Sequence, residues 1–212
     1  MNKILLLILL LIITKASFGD EFKFSADRVQ TIFAKGKERT QLSGNAQIVS
    51  SDNFIEADEI ELYGEDFIYA LCRGNVHLIN TEKGLELTCD KLFYDRTLKI
   101  ARMQGNAVMI DRENEIVIKG GFIENREETE VTIIQIGVRI LKEDMACRSE
   151  FARYLRNEDI LELSGMPIVY WKGDEYRAAK IYIDLEKDEI ILEGDVQGEI
   201  LESKSEAETE NE

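Results

Sequence analysis

Apolar and polar residues alternate along most of this chain. Counted from Gly44, Gly74, Gly105, Gly165 and Gly194, the even positions are apolar or small, among them Leu42, Ala46 and Ile48, then Ala70, Cys72, Val76 and Leu78, then Ala101, Met103, Ala107 and Met109. Leu161, Leu163 and Val169, and finally Ile190, Leu192 and Val196, continue the series, while the odd positions carry Gln41, Gln47, Arg73, His77, Arg102, Glu162 and Glu193. A period of two is the mark of a strand with one buried face. A second set of segments behaves alike, with Val29, Ile60 and Leu62, Leu92 and Tyr94, and Ile181 and Ile183 each on one parity. Turn-forming residues separate the segments at positions 51–53, 64–66, 80–84, 95–96, 111–114, 125–128, 156–159, 173–174 and 186–188. The pattern predicts an all-β chain of about twelve strands, mostly in sequential antiparallel pairs, and nowhere a helical period.

The alternation is itself periodic. Gly-Asn followed by a small apolar residue stands at Gly44-Asn45-Ala46, Gly74-Asn75-Val76 and Gly105-Asn106-Ala107, and degrades to Gly165-Met166-Pro167 and Gly194-Asp195-Val196, with Gly137-Val138 between. The glycines lie 30, 31, 32, 28 and 29 residues apart. Ahead of them run Ala26-Asp27-Arg28-Val29, Ala57-Asp58-Glu59-Ile60 and Cys89-Asp90-Lys91-Leu92, then looser copies at Gly120-Gly121-Phe122, Glu150-Phe151-Ala152 and Ala178-Ala179-Lys180-Ile181. A fixed period means one supersecondary unit stacked about six times.

Each motif glycine falls inside a strand. Glycine there marks a bulge, a tight bend or the close approach of another backbone. Repeated at one level in every unit, it is expected to bend each strand and curl the sheet over its own apolar face into a sandwich or jelly-roll trough. The outermost strands, near residues 22–32 and 189–201, are then open edges able to pair with another chain.

The ends add two expectations. Lys3 precedes an unbroken apolar run from Ile4 to Ile13, and Ser17-Phe18-Gly19 supplies small residues at a cleavage site. Ten apolar residues suit a signal peptide and fall short of the roughly 20 needed to span a bilayer as a helix. We therefore expect residues 1–19 to be a signal peptide cleaved after Gly19, residues 20–200 to form the β domain, and residues 201–212 to be a disordered acidic tail. Removing 19 of 212 residues leaves 193, and losing Lys3 and Lys15 takes the formal charge from −16 to −18. So acidic a chain is a poor partner for nucleic acid, which requires clustered Lys and Arg.

Little here suggests catalysis. His77 is the only histidine and lies in an outward column. With three scattered cysteines it makes no zinc set, and neither a Gly-x-Ser-x-Gly elbow nor a complete phosphate loop is present. Cys72, Cys89 and Cys147 admit one disulfide and a free thiol. Cys72 and Cys89, however, occupy columns filled elsewhere by Leu, Met or Ala, as small buried residues would. No cofactor is expected.

Leu42-Ser43-Gly44-Asn45-Ala46-Gln47-Ile48, followed by Ile55-Glu56-Ala57-Asp58-Glu59-Ile60, resembles the repeating unit of the LptA/OstA family. Gly105-Asn106-Ala107 with Ile118-Lys119-Gly120 resembles it again, so the likeness spans roughly Phe22 to Gly198 and weakens at Gly137 and Gly165. The resemblance implies a twisted jelly roll open at both ends, whose apolar interior carries lipopolysaccharide or a related glycolipid across the periplasm toward the outer membrane. It also implies head-to-tail stacking through edge strands and partners of the same fold at the inner and outer membranes. A membrane-anchored LptC-type component and an envelope scaffold without cargo are the alternatives. The inward residues expected to meet lipid are Val29, Leu42 and Ile48, then Ile60, Leu62, Cys72 and Leu78, then Leu92, Tyr94, Met103 and Met109. The strong negative charge requires either a headgroup held outside near the few basic positions or a less anionic lipid.

Overall fold

The computed structural model describes residues 22–200; the expected signal peptide and acidic tail lie outside them. The first strands are β1 (Lys23–Ser25), β2 (Arg28–Ile32), β3 (Arg39–Val49) and β4 (Asn53–Tyr63). Six more long strands follow: β5 (Tyr69–Asn80), β6 (Leu85–Asp95), β7 (Ile100–Asp111), β8 (Ile116–Arg126), β9 (Val131–Lys142) and β10 (Met145–Leu155). The last are short: β11 (Ile160–Ser164), β12 (Ile168–Trp171), β13 (Asp174–Arg177), β14 (Lys180–Asp184), β15 (Glu189–Glu193) and β16 (Gln197–Glu199). All sixteen belong to one antiparallel sheet, in which each strand from β3 to β10 pairs with its neighbours in sequence. The sheet does not close, and β1 with β2 and β15 with β16 form its two ends.

Twelve segments were expected where sixteen strands occur. The difference is local. β1 and β2 are one segment interrupted at Ala26-Asp27, and β11/β12, β13/β14 and β15/β16 are likewise halves of single segments, broken at residues 165–167, 178–179 and 194–196. Sixteen less these four breaks is twelve. Every break falls at the level of the motif glycine, so the terminal repeats are cut where the central ones are only kinked.

That kink is a bulge with a side-chain partner. Ser43 pairs with Glu59 and Ala46 with Ala57, leaving Gly44 and Asn45 opposite Asp58 alone. Gly74-Asn75 stand likewise against Asp90, Gly105-Asn106 against Gly121, and Ile136-Gly137 against Glu150. Two residues against one is the geometry of a β-bulge, which bends the strand and increases its twist. Both bulge residues are left-handed, at φ 75° and 46° in the first copy, and 73° and 46° in the second. Gly and Asn are the residues that adopt this conformation most readily. The strand on the other side supplies an aspartate: Asn45 donates to Asp27 at 3.0 Å, Asn75 to Asp58 at 3.0 Å and Asn106 to Asp90 at 3.1 Å. The Gly-Asn and Ala-Asp signatures are therefore two halves of one joint.

The joint survives where the sequence departs from its pattern. In the fourth repeat the left-handed pair is Ile136-Gly137, one place earlier, and the Ile136 side chain fills the space that Gly121 leaves empty. Further on, Glu150 N–H bonds the Gly165 carbonyl at 3.0 Å and Ala179 N–H the Gly194 carbonyl at 2.6 Å, as Asp27 does to Gly44 at 2.9 Å. The joints thus line up as a seam across the whole sheet. Inside the bend the side chains are small and buried: Ala46, Ala57, Val76, Cys89, Ala107 and Val138. This is the expected all-β, open and twisted jelly roll.

Gly74→Ala tests the seam, because φ is +73° and an added Cβ would run into the Asp58 carboxylate. Urea unfolding should show a loss of about 1–3 kcal/mol, clearly more than for Gly36→Ala, where φ is +74° but nothing lies within 4 Å.

Candidate functional site

Strands of 11 or 12 residues would be about 40 Å long if straight. Bent at the seam, they bring their two sets of turns face to face. One rim consists of the turns at residues 50–52, 81–84, 112–115, 143–144 and 172–173. It is tied along its length by Thr81 N–H to Asp52 O, Arg112 N–H to Gly84 O and Lys172 N–H to Asp144 O. The other rim consists of residues 64–68, 96–99, 127–130, 156–159 and 185–188, tied by Arg96 N–H to Ile68 O, Glu127 N–H to Lys99 O, Arg156 N–H to Glu130 O and Leu185 N–H to Asp159 O.

Ion pairs join the rims. Lys83 Nζ donates to the Glu127 carbonyl at 3.0 Å and to Glu130 Oε1 at 3.1 Å. Arg156 reaches the other way, from Nε to Asp111 Oδ2 at 2.6 Å and from its terminal nitrogen to Glu113 at 2.6 Å and the Lys83 carbonyl at 3.1 Å. Farther along, Lys172 bonds Asp188 at 2.9 Å. Asp111 is fully buried and Arg156 nearly so. The hydrogen bond to Asp111 raises the Arg156 guanidinium further above its ordinary value, so it stays charged. Beside this clasp burial also raises the Tyr154 phenol. Within the folded sheet the layers touch, as where the Thr132 hydroxyl lies 3.9 Å from the Met109 sulfur.

The expected lipid-facing residues divide into three groups. Leu42, Ile60, Cys72, Leu92, Met103 and Met109 are completely buried in one continuous apolar core. Ile48, Leu62, Leu78 and Tyr94 line a cavity of about 220 Å³ near β1, where the rims stand apart. Val29 shares the inward face, opposite Leu42, but lies on an end strand and is 44% exposed. Ile55, Phe67 and Ala70 complete the cavity's apolar wall, and Phe22, Asp52, Glu82, Arg96, Lys99 and Glu127 surround its opening.

Pattern reading did not pick out the clasp or the opening. One signal was visible for the clasp. Asp111 lies six places after Gly105, an even offset, so a carboxylate stands in the inward column.

The thiols are free and buried, so no disulfide forms among the described residues. Burial pushes Cys72 and Cys147 up to about 12 and Cys89 to about 11. His77 meets Glu86 at 3.1 Å on the outer face. Among the described residues, no group of three or more His, Cys, Asp and Glu is placed to hold a metal ion.

No protein-family profile matches the chain. No curated protein matches it either. Among solved structures it is similar to LptH, the LptA-homologous periplasmic component of the lipopolysaccharide transport device of Pseudomonas aeruginosa. Identity is 8% and the TM-score 0.28, covering 86% of this chain and 96% of that one. A likeness this weak decides neither fold nor function.

Two outcomes check the electrostatics. Arg156→Ala leaves Asp111 buried without its cation and should lower unfolding stability by about 3 kcal/mol, most of it restored by adding Asp111→Asn. Glu127 is raised chiefly by burial, against the hydrogen bond from Tyr94 and the nearby Lys83 and Lys99. A carboxyl raised in the fold destabilises it wherever ionised, and the penalty vanishes as pH falls below the unfolded value of about 4.3. Glu127→Gln should therefore raise the melting temperature at pH 7 and lose that advantage toward pH 4.

Proposed function

We propose that this chain is an exported, lipid-binding bridge of the LptA/OstA kind, which carries acyl chains of lipopolysaccharide or a related glycolipid between the two layers of its folded sheet. The observation that carries the reading is the cavity between the rims. It opens into the apolar face that the repeated motifs create, and its walls include Ile48, Leu62, Leu78 and Tyr94. Burying a chain there is favourable at about 0.8 kcal/mol per methylene. Catalysis has no part in this reading.

Support for stacking comes from the ends of the sheet. Phe24, Val29, Ile32 and Phe33 are exposed at one end, and Ile191, Val196 and Ile200 at the other. Apolar edge strands of this kind are templates for a further strand, from a second copy or from a membrane component of the same fold. The periplasm is the proposed location, with the mature chain starting at Asp20.

One observation favours an anchored, LptC-type version. Phe22, the first described residue, sits at the opening of the cavity. Were residues 4–13 retained in a membrane, the mouth would lie beside the bilayer that supplies the lipid. Sequencing the mature N-terminus decides between the two versions.

A photo-reactive residue at Leu62 or Leu78 should trap lipid in cells, while one at outward Gln47 should not. Labelling at the deeper Ile60 and Met103 is expected only if cargo passes beyond the mouth. Equal labelling at Gln47, or none at any site in folded protein, would leave a scaffold without cargo.

A further inference from the structure

The opening of the cavity carries both signs of charge, with carboxylates on both rims and two cations on the second. Asp52 and Glu82 stand on the first rim, Arg96 and Lys99 on the second. No ion pair joins the two sets among the described residues. Arg96 donates instead to the carbonyl oxygens of Asp66 and Phe67, both at 3.3 Å, and lies over the Phe22 ring at 5.2 Å. Among the described residues the Asp52 carboxylate accepts only from the neighbouring Ser51 hydroxyl, at 2.8 Å. Glu127, the third carboxyl at the opening, stands on the same rim as Arg96 and Lys99 and accepts a hydrogen bond from Tyr94. One step farther along, Lys83 and Arg156 cross from rim to rim and shut the space.

The cavity is also small. Its 220 Å³ lies below the usual 300–1,000 Å³ of ligand sites. A cavity of that size suits the end of one hydrocarbon chain.

We propose that this mouth binds a single-chain amphiphile with a zwitterionic phosphate–ammonium head. The chain fills the space between Leu62, Leu78 and Tyr94. Arg96 and Lys99 hold the phosphate, which suits guanidinium donors and a compact ammonium charge alike, and Asp52 and Glu82 hold the amine. A purely anionic head would gain the two cations but meet the two carboxylates, and like charges at an interface disfavour the wrong partner. The proposal rests on the lipid-binding reading above and concerns what the mouth itself holds, a smaller ligand than a glycolipid with several chains.

Calorimetric titration of the purified full chain tests it with monoacyl lipids of equal length, used below their micelle concentrations. Phosphoethanolamine or phosphocholine heads should bind at least about tenfold tighter than phosphoglycerol. Affinity should rise about fourfold per added methylene and level off once the chain end fills the cavity. Glu82→Gln should bring phosphoglycerol up toward the zwitterion, and Lys99→Gln should weaken all phosphate heads. Neither side chain makes a hydrogen bond or short ion pair among the described residues, both act on Glu127 through space, and a retained cooperative unfolding transition confirms folding. Equal or tighter binding of phosphoglycerol overturns the head-group assignment and leaves lipid binding intact, as does a lack of binding while photo-adducts still form at Leu62 and Leu78. Absence of both overturns the two readings together.

Discussion

The fold depends on a bulge of two left-handed residues set against the neighbouring strand, which in three copies is pinned by an asparagine–aspartate bond. Each such bond, as at Asn75 and Asp58, is exposed and contributes little by itself. Its importance lies in position. Two left-handed residues are unfavourable at any one site, yet the bend they allow lets an apolar face more than ten residues long close on itself. Burial of that face, at about 25 cal/mol per Å², far outweighs the local strain. Small residues such as Ala46, Ala57 and Ala107 then fit inside a bend where larger side chains would collide.

The seam decides where the polar groups go. By folding each strand in half it brings two rows of turns together, and residues that are ordinary turn formers become partners across a gap. Asp111 takes the backbone N–H groups of Glu113 and Asn114, as an aspartate at a turn commonly does. The fold places Arg156 beside the same carboxylate, in surroundings dry enough to matter. The outer face carries ion pairs too, such as that of Arg153 with Glu162. Those are solvated and contribute modestly. The difference between the two kinds of pair comes entirely from which side of the bent sheet they occupy.

How much of this could be read from the chain follows from the range of each interaction. Alternation around Gly44, Gly74 and Gly105 is local, and so were the strands, their inward faces and the bend. The partner of Asn45 is 18 residues away, on a strand whose own motif looked like a separate signature, so the joint was visible only as two halves. The rim contacts are longer still, with Lys83 bonding the Glu127 carbonyl 44 positions on and Arg156 reaching back 73 to Lys83. No periodicity encodes them. The inward set was legible as a face, but its division into packed core and open mouth was not. Met109 and Leu78 occupy equivalent places in their repeats, four after the glycine, and differ only in what the opposite layer puts against them.

The seam has one more consequence, for length. Because each bend is built within one repeat and its neighbour, its geometry does not depend on how many repeats there are. The array can gain or lose a unit of about 30 residues and keep the same cross-section, changing its reach in steps of two strand spacings, about 9.6 Å. Span is therefore a quantised property of this architecture, open to adjustment by duplication or deletion without redesign of the interior. The interrupted strands lie at either end of that series, where the pairing within the chain runs out.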